Sequence, residues 1–155
     1  MENFRAYRID QQDGKIIAGF TTLNTNDLSE GDVVIRVSHS TINYKDALAA
    51  TGGGRILRKF PLVGGIDLAG AVVTSEDERF SEGDAVLVNG CGLSETRDGG
   101  YAEYARVNGD SIVPIPDGLD AAQAMQIGTA GYTAALAIHR MEQNGQSPDA
   151  GLVVV

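Results

Sequence analysis

The chain has 155 residues, 43% of them hydrophobic and 21% charged. That is globular composition with room for one sizeable core, or for one domain and part of another. Its net charge of −9, its single Cys91 and the absence of any run near 18 apolar residues disfavour nucleic acid or anionic lipid as a partner of the bulk surface, and exclude an internal disulfide, a multi-cysteine zinc site and a membrane-spanning helix. The start MENFRAYRID carries no basic-then-apolar leader pattern, so a soluble, cytoplasmic protein is expected.

Twenty glycines against four prolines point to tight turns between short strands. Phe4–Ile9 and Lys15–Thr22 are apolar-rich runs around Asp13-Gly14, a hairpin signal. Asp32–Thr41 alternates, with Val33, Ile35 and Val37 on one face. Asn43 stands before a short helix expected over Tyr44–Thr51, which Gly52-Gly53-Gly54 closes. Ile66–Thr74, Ala85–Val88 and Tyr101–Val107 read as further strands. The pattern changes after Ile115-Pro116-Asp117-Gly118. Asp120 through Gln123 has the form of a capping box, and the alanine-rich segment to Gln143 predicts two helices that meet near Thr129 and end at Asn144-Gly145. Asp149-Ala150-Gly151 then turns the chain into Leu152–Val155, a β-branched run that reads as a buried strand of a parallel sheet. Such a strand needs neighbours, so the chain is expected to be the N-terminal piece of a larger protein. The expected division is 1–118 and 119–155.

Five segments carry a family resemblance. Asn43-Tyr44-Lys45-Asp46, Phe60 through Gly70 (FPLVGGIDLAG), Phe80 through Leu87 (FSEGDAVL), Gly99 through Ala105 (GGYAEYA) and Gly128 through Ala134 (GTAGYTA) resemble, in order, motifs of the zinc-free medium-chain dehydrogenase/reductases. The match runs closest to their quinone oxidoreductase and acryloyl-CoA reductase branch. The resemblance implies a mainly β fold with some α. A GroES-like, partly open β-barrel would be the catalytic domain. Helices and the first strand of a truncated Rossmann domain, the nucleotide-binding part, would follow it. It further implies an NADPH-dependent, zinc-independent oxidoreductase acting on an enoyl-CoA or a quinone, and a homodimer when full length. In the family a glycine-rich phosphate turn follows the strand matching Leu152–Val155, because glycine lets backbone amides approach the pyrophosphate. This sequence holds no G-x-G-x-x-G, so the 155-residue chain alone is expected to be inactive. One departure stands out: Gly64 occupies the place where the family usually has proline, and a looser loop before Asp67 is expected.

Conjugate reduction needs a hydride over the β-carbon, a group that polarises the carbonyl oxygen, and a proton for the α-carbon. Asn43, Tyr44 and Lys45 offer an amide, a phenol and an ammonium at a helix start. Tyr44 is the candidate proton donor or oxygen-polarising group, with Asn43 and Lys45 orienting substrate or cofactor; the structural alternative is a capped helix with a packed tyrosine and a solvated lysine. Asp46 and Asp67 are the acidic candidates. Asp67 lies in an apolar run and needs a partner. A cation from the rest of a larger protein is expected, or else Asp67 caps a turn or faces solvent. Thr129 would lie near the nicotinamide on the resemblance, or serve as an N-cap. Arg55, Arg58 and Lys59 form a basic cluster that suits a coenzyme A phosphate or is simply a solvated loop. Cys91, His39 and His139 fit no metal spacing: His39 and Cys91 are expected to be packed, His139 on a helix surface. Reduction of an activated C=C bond such as that of acryloyl-CoA leads, quinone reduction is the alternative, and a non-catalytic binding module is the reading from a different class.

Overall fold

The computed structural model describes residues 3–151. Strands β1 (Phe4–Gln12) and β2 (Lys15–Leu23) form the expected hairpin, in register from Phe4↔Leu23 to Gln12↔Lys15. Asp13 and Gly14 both have positive φ, 50° and 77°, which matches the twist of the flanking strands. Then follow β3 (Val33–His39), α1 (Tyr44–Thr51), β4 (Leu62–Val63), β5 (Asp67–Ser75), β6 (Ala85–Asn89), β7 (Tyr104–Val107), β8 (Val113–Pro114) and α2 (Ala121–Gln143). Every strand pair is antiparallel, in two sheets of order β2-β1-β4 and β7-β3-β5-β6-β8. The mainly β expectation holds. The run Leu152–Val155 lies outside the described residues. None of the described helices is long and apolar enough to cross a membrane.

The strand expected from Tyr101 starts only at Tyr104. Residues 101–103 instead stitch the two sheets together. Tyr7 N–H donates to the Tyr101 carbonyl at 2.7 Å, Glu103 N–H to Arg5 at 3.1 Å, and Val37 N–H to Glu103 at 2.9 Å. A second seam runs beside it, from Gly99, Gly100 and Tyr101 N–H to the carbonyls of Val63, Gly65 and Gly64, each at 2.9 Å.

That seam corrects the expectation of a loose loop at Gly64. Residues 62–70 are all buried, and Gly64 N–H donates to the Tyr7 carbonyl at 3.0 Å. A proline has no such donor, so glycine here gains a bond to β1 that proline forgoes. Asp98, which the sequence did not single out, anchors the same region. Its buried carboxylate accepts from Ser29 N–H, the Ser29 hydroxyl and Val63 N–H at 2.7, 2.8 and 2.7 Å.

The main core fills one face of the larger sheet with Val33, Ile35, Leu68, Val72, Val86 and Val107. A smaller cluster of Ile9, Ala49, Leu57 and Leu62 seats α1 against the first sheet. Close backbone approach fixes one glycine: a Cβ on Gly70 would lie 2.0 Å from the Arg36 carbonyl oxygen, where β3 and β5 shift register. Gly70→Ala is therefore expected to lower stability by about 1–3 kcal/mol, read from the urea midpoint. Gly19→Ala, in open space on β2, should change it by less than about 0.5 kcal/mol.

Candidate active site

Helix α2 carries the break expected near Thr129, one residue earlier. Gly128 adopts φ 51°, ψ −164° inside an otherwise helical run. The position is closed to any side chain, since a Cβ there would meet Thr41 Cγ2 at 2.9 Å and Asp67 Oδ2 at 3.3 Å. The break frees the Thr129 N–H, and Asp67, the first residue of β5, takes it as an acceptor at 3.1 Å. The Thr129 hydroxyl donates to Oδ1 of the same carboxylate at 2.5 Å. From the other side Thr41 Oγ1 donates to Oδ2 at 2.6 Å and Asn43 Nδ2 at 3.0 Å. Asp67 has no solvent exposure. Its partners among the described residues are thus two hydroxyls, an amide and a backbone N–H, and the cation expected from the rest of a larger protein would lie outside this chain. The physical demand is the same: a buried carboxyl must be hydrogen-bonded.

Asn43 stands at the N-cap of α1 with its amide nitrogen shared between Asp67 and Thr41, 2.7 Å from Thr41 Oγ1. Its backbone N–H donates to Asp46 Oδ2 at 2.8 Å. Asp46, also buried, accepts the Ile66 N–H through its other oxygen at 3.0 Å. The two acidic candidates therefore lock the start of α1 to the start of β5 from both sides. Asn43, Asp46, Asp67 and Thr129 come together.

Tyr44 and Lys45 do not join them. Tyr44 is 80% exposed, neither packed nor part of the network, and Lys45 Nζ pairs with Glu95 Oε1 at 2.5 Å. The packing expected for His39 and Cys91 is also wrong: both are exposed, with His39 Nδ1 at 3.0 Å from Ser38 Oγ and Cys91 in a turn at φ 50°. His139 lies on the helix surface as expected. Among the described residues no three His, Cys, Asp or Glu side chains gather.

Two members of the site were missed. Thr41, two residues before Asn43, bonds both Asn43 and Asp67. Tyr101 donates its hydroxyl to the Thr41 carbonyl at 2.8 Å. Burial, and then the Asp46 and Asp67 carboxylates, push the Tyr101 phenol well above the ordinary tyrosine value. The only sequence signal for it was the preceding Gly99-Gly100, a mark of close backbone packing. Tyr101 also walls an apolar cavity of about 440 Å³ with Tyr7, Phe20, Ile42, Ala47 and Ala50, which reaches Asp46. The arrangement is a rigid hydrogen-bonded shelf at the head of α1 beside an apolar chamber.

The profile of the alcohol dehydrogenase GroES-like domain matches residues 29–117. The chain belongs to this family. It is 52% identical over 151 residues to the probable acrylyl-CoA reductase AcuI of Escherichia coli, covering 97% of this chain and 47% of that protein. It is 49% identical over 152 residues to the putative quinone oxidoreductase YhfP of Bacillus subtilis, covering 98% and 46%. The solved yhfP structure, with NAD bound, superposes with a TM-score of 0.93 at 48% identity over 97% of this chain and 46% of that one. The yhdH oxidoreductase of Salmonella enterica, in complex with NADP, gives 0.92 at 49% identity over 95% and 45%. The chain spans about half the length of these relatives. Its kinship with the quinone oxidoreductase and acryloyl-CoA reductase branch of the medium-chain dehydrogenase/reductases is thereby established.

Two outcomes follow from the geometry. Asp67→Asn places an NH2 where only donors face it, and should cost about 1–3 kcal/mol while raising amide exchange at Thr129. The raised Tyr101 phenol has a defined sign: the folded state keeps a proton that the unfolded chain releases at the ordinary value of 10.0. Stability should be fully present below that pH and fall as pH rises above it. Tyr101→Phe should remove this part of the alkaline fall in a denaturation series.

Proposed function

We propose that the complete protein is an NADPH-dependent oxidoreductase that reduces an activated C=C bond, with acryloyl-CoA as the first substrate. The observation that carries this is the apolar chamber opening onto the hydrogen-bonded shelf at the head of α1, in a chain 52% identical to a probable acrylyl-CoA reductase. The aromatic lining of Tyr7, Phe20 and Tyr101 also suits a quinone ring. The relative named as a putative quinone oxidoreductase favours that second reading.

The donor set fits the uncharged end of NADPH. The proton of the Thr129 hydroxyl is held on Asp67, so its oxygen presents lone pairs to an incoming group. That suits the NH2 of a carboxamide, whereas a phosphate would need donors or cations. The nearby Lys45 is held by Glu95. On this reading Thr129 and Asn43 receive the nicotinamide end, and Lys45 has at most an indirect part. When bound, NADPH supplies the hydride for the β-carbon. As negative charge collects on the thioester oxygen, the exposed Tyr44 phenol at the helix start polarises it or donates the proton that the α-carbon needs. Asp46 and Asp67 act as positioning residues, because transfer of a proton through either would first break the bonds that hold the shelf. Substrate enters between the α1 head and the Tyr101 wall. The reading carries a homodimer, zinc independence and a cytoplasmic setting with it, and divides the chain at 1–118 and 119–155.

NADPH oxidation by the complete protein, with acryloyl-CoA and a simple quinone side by side, tests it. Acryloyl-CoA should turn over fast, and Tyr44→Phe, which alters an exposed side chain, should lower kcat about 100-fold or more with the urea midpoint unchanged. Turnover of quinone alone would move the substrate to the second reading, and turnover of neither would end both.

A further inference from the structure

At the opposite end of α1 lies a second cavity, of about 710 Å³, between the β1–β2 turn and the loop after the helix, with Gln11, Gly14, Gly52, Arg55 and Arg58 on its walls. We infer that it is a subsite for the phosphate groups of a nucleotide carrier, coenzyme A, whose thioester end reaches the head of α1. This rests on reading the substrate as a CoA thioester.

Charge is the first argument. In a chain of net charge −9, three of the twelve cations fall within five residues, at Arg55, Arg58 and Lys59. Two other cations are engaged by carboxylates, Arg79 by Asp77 and Asp110 and Lys45 by Glu95. Arg8, Lys15 and Arg36, unpaired among the described residues, are scattered along the chain rather than clustered. Among the described residues neither Arg55 nor Arg58 has an ion-pair partner. The carbonyl end of a two-turn helix accounts for a cation nearby, but three exceed that need. A guanidinium fork matches the geometry of phosphate oxygens.

The loop holds the two arginines in place. Ile56 N–H donates to the Gly54 carbonyl at 3.0 Å and Arg58 N–H to Glu95 at 2.7 Å. Leu57 is buried in the cluster beneath α1 with Ile56 packed against it, which pins the loop, while Arg55 and Arg58 on either side are exposed.

Order along the helix is the third argument. The eight residues of α1 span about 12 Å. Asn43 stands at one end and the arginines beyond the other, with the apolar chamber against Ala47 and Ala50 between them. Reactive head, slender pantetheine arm and phosphates follow one another in the same order in an acyl-CoA.

The test uses the complete protein with Arg55→Glu and Arg58→Glu together, both exposed and so tolerated by the fold. KM for acryloyl-CoA should rise at least about tenfold with kcat unchanged. KM for the N-acetylcysteamine thioester of acrylate, which lacks phosphates, and KM for NADPH should stay put. Lysine at both positions should restore part of the affinity, since it returns the charge without the fork. An equal rise for both thioesters, a rise in KM for NADPH, or no change for acryloyl-CoA would each overturn the subsite. Calorimetric titration of free CoA gives a readout independent of turnover. Binding lost in the glutamate pair supports the subsite even if the protein reduces only quinone, an outcome that sinks the reductase reading alone. Absence of CoA binding to the unmodified protein sinks the subsite whatever the enzyme reduces.

Discussion

A fully buried carboxylate ringed by neutral donors holds this site together. Asp67 satisfies itself with four neutral donors taken from the turn before α1 and from the break in α2. The arrangement is demanding because a buried acceptor left without its donors costs the full desolvation penalty of the group. Once met, the demand sets the entry to α1, the start of β5 and the restart of α2 relative to one another. The glycine at 128 and the threonines at 41 and 129 are then consequences: the first leaves room, and the others supply hydroxyls. Asp46 repeats the device on a smaller scale, joining Asn43 to Ile66.

Much of the architecture was legible because its signals are local. The Asp13-Gly14 hairpin, the bounds of α1, the Asp120–Gln123 cap with its reciprocal bonds of 3.0 and 2.8 Å, and the α2 break all follow from residues within a few positions of one another. The site was legible only as a set of suspects. That Asp67 needs a partner follows from its apolar neighbours, but its donors lie 24, 26 and 62 residues away, and nothing local chooses among them. Tyr101 was hidden for the same reason, since its value lies in a ring laid across the seam between two sheets. His39 misled because alternation continues along β3 after the burial that normally accompanies it has ended. Gly64 misled because a missing proline suggested looseness, while the freed N–H was already bonded to β1.

Helix α1 is short, yet it borders every element to which a function is assigned. Its first turn is built into the hydrogen-bonded shelf, its middle contributes small side chains to an apolar wall, and its αL end at Gly52 opens toward two guanidiniums that no carboxylate pairs among the described residues. Alanines at 47, 49 and 50 keep the helix thin enough for cavities to lie against it on more than one side. An acidic chain of net charge −9 thereby carries one locally basic corner.

The break at Gly128 also has a mechanical meaning. Residues 129–143 form a rod of about 22 Å whose base is hydrogen-bonded to a carboxylate rooted in the first residue of β5. Ile127, Tyr132, Leu136 and Ile138 project from this part of the chain into solvent. A small tilt of the Asp67 anchor would swing the far end of the rod by several times the displacement at its base. The bonds between Asp67 and Thr129 thus sit where a pivot would, and they tie the direction of the rod to the same carboxylate that fixes the head of α1.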